Sequence, residues 1–143
     1  MKQAIWLVAM TVAALELAFL RLGFDVVADV AYGTIAIMAL LIACTFLWLW
    51  FERTTPLAIG MVVSWLGISW MAGWWWAYNL MGTPTWAQDH PALFAVLALP
   101  IVGAVLHFAV IQRSFGFHGL HFLWPVLGAI AVSCAVHVVH IGF

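Results

Sequence analysis

All six histidines of this 143-residue chain, His90, His107, His118, His121, His137 and His140, fall within residues 89–143. Imidazole ligates metals and haem iron and exchanges protons near neutral pH, so this clustering is the first place to look for chemistry. The histidines lie in and around two apolar runs, 91–111 and 120–141, separated by the loop Gln112-Arg113-Ser114-Phe115-Gly116-Phe117-His118-Gly119. If those runs are antiparallel helices across a membrane, residues at equal depth have numbers that sum to about 228, and His107 with His121, and His90 with His137 or His140, all meet this within two. Two histidine layers are therefore expected, one near each membrane face.

A histidine from each of two helices at each face is how a two-haem transmembrane cytochrome is built. His107, His121, His90, His137 and His140 are accordingly the candidate ligands of a haem, a chlorophyll-type pigment or a metal. Helical phase argues the other way. His90 and His107 are 17 residues apart and His121 and His137 are 16 apart, which places them roughly 100° and 160° out of register on straight helices. A second candidate is a transition-metal site at one face, from His137, His140, His90, Asp89, Asp25 and Asp29. His137 and His140 are about 60° apart on a helix, and nitrogen with carboxylate ligands suits Zn²⁺, Cu²⁺ or non-haem iron. The plainer account is a polar rim at the membrane surface.

The elements that must position these groups follow from composition. With 68% hydrophobic and 6% charged residues, the chain cannot cover a soluble surface, which ordinarily takes about a quarter charged residues. The expected fold is all-α: one integral membrane domain over residues 1–143, a bundle of five transmembrane helices, or four if the first run does not cross. The spans are expected at 4–20, 30–51, 56–81, 91–111 and 120–141. The first has a Lys-bearing start like a secretory signal but no small-x-small cleavage site, and is read as a span. Arg21, Asp25 and Asp29 follow at spacings of four, which permits an Arg21 to Asp25 contact on one helix face. Thr55-Pro56 and Asp89-His90-Pro91 each look like a helix start, with a capping side chain beside a proline. Pro100 falls mid-span, where it removes a backbone hydrogen bond and bends the helix. Gly33, Gly60, Gly67, Gly73, Gly103 and Gly128 offer close-packing faces within or between chains. Cys44 and Cys134 are expected as buried small apolar residues.

Orientation follows from the basic residues. With five spans, Lys2, Arg53 and Arg113 share one side and Arg21 the other, with Asp25, Asp29 and Asp89. The amino terminus is then expected in the cytoplasm, in a bacterial inner membrane. The chain is rich in tryptophan: Trp6, Trp48, Trp50 and Trp124 mark the inner interface and Trp74, Trp75, Trp76 and Trp86 the outer, while Trp65 and Trp70 lie deeper as packing groups. Ionisable groups within spans are costly, about 2.5 to 3.5 kcal/mol at the bilayer centre on insertion scales. Glu16 and His107 are the two such groups. Glu16 is expected to reach the outer surface or pair with Arg21, and His107 to hydrogen-bond a neighbouring helix or ligate a cofactor.

Gly116-Phe117-His118-Gly119-Leu120-His121 resembles the Gly-Phe-His-Gly-x-His segment of subunit III of haem-copper oxidases, a subunit without a redox centre. The likeness covers six of 143 residues, and the intramembrane acidic residue and aromatic-rich final helix of that family are not recognisable. Net charge is −1, so no basic field recruits nucleic acid. A Gly-rich phosphate loop, a nucleophile elbow and a zinc-protease motif are all missing.

Three functions fit. The first is a small membrane subunit of a larger, energy-transducing or electron-transfer complex whose histidines hold a haem, pigment or metal. The second is a homo-oligomeric ion or small-solute transporter or channel using Glu16, Asp25, Asp29 and the outer histidines. The third is a membrane metalloenzyme with the outer His/Asp site. The lipid bilayer is a partner in all three, and other membrane subunits or further copies of the chain complete it.

Overall fold

The computed structural model describes residues 2–116 and 119–141. His118, and Phe117 of the hexapeptide likeness, lie outside the described residues. The chain is helical almost throughout: α1 (Lys2–Leu22), α2 (Phe24–Arg53), α3 (Pro56–Leu80), the single turn α4 (Thr85–Gln88), α5 (Ala92–Ser114), a 3₁₀ turn (His121–Leu123) and α6 (Trp124–Ile141). Five helical segments are long and apolar enough to cross a membrane, α4 with α5 and the 3₁₀ turn with α6 each making one.

The first boundary differs from expectation. Arg21 and Asp25 do not share a helix, because Gly23 stands between α1 and α2 at φ 83° and ψ 170°, a conformation that glycine adopts without a Cβ clash. Asp25 and Asp29 belong instead to the first two turns of α2. At 30 residues, α2 is about 45 Å long, longer than a hydrocarbon core of roughly 30 Å.

Two helix starts also work differently from their sequence signals. Thr55 precedes Pro56 as expected, but it makes no side-chain cap; its carbonyl accepts from Ala58 N–H at 2.9 Å. At α5 the acceptor is His90 rather than Asp89, with Ala92 N–H donating to His90 Nδ1 at 3.2 Å.

The packed core is α2 against α3 and α3 against α5. Its buried residues are mostly small: Gly33, Ala36, Ala39 and Ala43 on α2, Ala58, Gly60, Gly67 and Ala72 on α3, and Gly103 on α5, where Val96 and Gln112 are the larger exceptions. In lipid, apolar burial gives no preference for helix over hydrocarbon, so association rests on close van der Waals packing and interhelical hydrogen bonds. The indole of Trp76 covers Gly33, the ring of Pro100 covers Gly67, and the backbone of Ser64 lies on Gly103. Ser69 Oγ donates across to Ala36 O at 2.8 Å. Gly73 makes only ordinary contact, with Ala36, and Gly128 faces open space; the packing expected of Gly128 is not made among the described residues.

Neither α1 nor α6 buries a residue, and each touches the core sparsely. Cys44 and Cys134 are exposed, not buried, and Trp70 is 55% exposed. An apolar side chain facing lipid costs nothing, so in this environment apolarity carries no instruction to turn inward.

Candidate functional site

The imidazoles sit in three separate settings. His107 is held in the α3–α5 interface, where Gly60 allows the helices to approach; a Cβ at Gly60 would lie 3.4 Å from His107 Nδ1. Nδ1 faces Gly103 O at 3.1 Å. A carbonyl only accepts, so Nδ1 carries the proton, and Nε2 is turned onto Met61 Sδ. Both ring nitrogens are thus occupied by α5 and α3. Changing His107 to Gln is expected to cost about 1 kcal/mol of stability through one lost hydrogen bond, measurable by denaturant titration in detergent, and to leave any bound chromophore in place.

His121 stands on another flank of α5. It opens the 3₁₀ turn and lines a groove of about 260 Å³ with Phe108, Gln112, Phe115, Phe122 and Pro125. Gln112 is buried and ties the loop to α5, its Nε2 donating to Gly119 O at 3.2 Å, while its Oε1 has no partner among the described residues. His107 is thus engaged with Gly103 and Met61 in the α3–α5 interface, while His121 lines a separate groove with Phe108 and Gln112.

At the opposite end of the bundle the expected metal ligands are also dispersed. His90 lies between Trp74 and Trp86, with ring centroids 5.9 Å and 6.1 Å away, and Trp74 Nε1 donates to Ala87 O at 3.2 Å. Asp89 is exposed beside it, at the end of α4. Asp29 accepts from Asn79 Nδ2 at 2.9 Å and shares a cleft with Asp25 between α2 and α3. His137 and His140 are exposed on α6. Among the described residues no three His, Cys, Asp or Glu side chains approach closely enough to hold a metal ion. A site made of Asp25, Asp29, Asp89, His90, His137 and His140 is not assembled within one chain.

Glu16 is exposed on α1 and makes no hydrogen bond or ion pair among the described residues. Asn79 and Gln112, the two amides that organise the bundle ends, were not singled out from sequence. Each is a lone amide near the end of an apolar run, and that was the available signal. No family model, curated protein or solved structure matches this chain.

Proposed function

We propose that this chain is a small integral membrane subunit of a larger, energy-transducing or electron-transfer assembly, and that neighbouring subunits cover α1 and α6. One observation carries the reading: two of the five candidate spans bury nothing, yet each carries a feature suited to a neighbouring chain. Glu16 on α1 is a carboxylate without a partner among the described residues, in the last two turns of a candidate span, where an unpaired charge is costly to keep next to lipid. On α6, Gly128, Ala131 and Ala135 share the face turned away from α5, at the three- and four-residue spacing by which helices dock in membranes. Gly128 has open space in front of it.

The same reading gives the imidazoles a role between subunits. Among the described residues the imidazoles of His121, His137 and His140 have no hydrogen-bond partner, so each offers nitrogen to a haem or pigment shared with a neighbouring chain. His107 does not. The amino terminus is cytoplasmic in this proposal, since Lys2, Arg53 and Arg113 then lie inside. The membrane is a bacterial inner membrane, because the outer one is crossed by closed β-barrels rather than apolar helices.

The test is a visible spectrum with subunit identification on the complex extracted in mild detergent. A Soret or chlorophyll-type band at near-stoichiometric level is expected, reduced by His121→Gln or His137→Gln and unchanged by His107→Gln. A colourless chain that extracts alone, without other subunits, would overturn the proposal.

A further inference from the structure

The cleft between the start of α2 and the end of α3 combines carboxylates with aromatic rings. It measures about 520 Å³ and is walled by Asp25, Asp29, Tyr32, Trp75, Tyr78 and Asn79, with no lysine, arginine or histidine among its lining residues. Two carboxylates therefore face a half-enclosed space with no cationic side chain to balance them. Trp75 and Tyr78, both in the lining, meet edge to face, with centroids 5.4 Å apart and planes at 87°. Asn79 Nδ2 holds one oxygen of Asp29 at 2.9 Å, which fixes that carboxylate while leaving its other oxygen unbound.

We infer that this cleft binds an organic ammonium group. Aromatic faces attract a cation through their quadrupole, by about 0.5 to 2 kcal/mol per ring according to desolvation, and a nearby carboxylate neutralises it. Small hard cations are served poorly here: Mg²⁺ and Ca²⁺ need six or more oxygens in close array, and much of this wall is ring carbon. The volume falls in the range of small-molecule sites. The cleft lies at the start of α2 and the end of α3, at one end of two candidate spans, so the ammonium can come from a soluble amine or from an ethanolamine or choline lipid headgroup. Both present the same chemistry. The inference is independent of whether α1 and α6 are covered by other subunits.

Choline titrated into the full-length chain in maltoside micelles tests it by calorimetry, with 3,3-dimethylbutanol as the uncharged isostere. Choline is expected to bind and the isostere not to. Asp29→Asn preserves side-chain volume and the contact with Asn79, so it should fold; it and Trp75→Leu are each expected to weaken choline about tenfold or more. Tyr32→Leu, on the more exposed wall, serves as the second aromatic variant and should weaken it less. Competition by short-chain phosphatidylcholine or phosphatidylethanolamine, against phosphatidylglycerol as control, identifies a headgroup as the source; choline binding without such competition identifies a soluble amine. Equal binding of the isostere, or choline affinity unchanged in Asp29→Asn and Trp75→Leu chains that keep their helicity, overturns the inference.

Discussion

Gly103→Leu is expected to separate α5 from α3 and to lower the stability of the isolated chain by about 3 kcal/mol or more. Even a single Cβ at this position would overlap Ser64 Oγ and press on the Ser64 backbone. Close-packed interiors lose typically 1 to 3 kcal/mol for each inserted group that neighbours cannot accommodate, and here the obstruction is main chain. Gly67 gives a parallel case, its Cβ falling 2.6 Å from Pro100 Cδ, in a ring that cannot rotate aside. Denaturant titration in mixed micelles, followed by tryptophan fluorescence, measures both. Unchanged midpoints would contradict the close α3–α5 crossing. Losing that crossing also frees the His107 ring from Met61, so the two halves of the interface should fail together.

Gly128→Leu is expected to behave in the opposite way. Nothing lies within 4 Å of its missing side chain, so the isolated chain should change by no more than about 0.5 kcal/mol. In the assembly the same substitution blocks the face made by Gly128, Ala131 and Ala135, and the subunit should drop out of the natively extracted complex almost entirely. Glu16→Leu, which removes the unpaired carboxylate, should leave the chain folded while weakening its retention through α1. Native electrophoresis with quantitative mass spectrometry reads both effects. A complex that keeps Gly128→Leu at full occupancy would show that α6 faces lipid alone.

Much of the architecture was legible because membrane helices are bounded by plain chemical signals. Pro56 and Pro91 fall where helices begin, and the five expected spans each coincide with a helical segment long and apolar enough to cross a membrane. The start of α2 was not legible: Arg21, Asp25 and Asp29 read as one helical series, and only the conformation of Gly23 shows that the series is broken. Facing was harder still. A helix apolar on all sides has no polar stripe to mark its outside, which is why Cys44, Cys134 and Trp70 were expected inward and stand outward. The depth relation between His107 and His121 depends only on rise per residue. Their convergence depends on azimuth, and there the ring of His107 turns to α3 while His121 lines a groove on another flank of α5. Asn79 was missed because its significance comes from Asp29, fifty residues away in sequence.

The account depends most on α1 and α6 being covered in the native membrane. Carbene footprinting with a lipid-dissolved diazirine compares their accessibility directly, in native membranes and in bilayers holding the purified chain alone. Peptides from α1 and α6 should be labelled heavily in the purified chain and several-fold less in native membranes, with the buried faces of α2 and α3 unlabelled in both. Equal, heavy labelling of α1 and α6 in the two preparations would contradict the account.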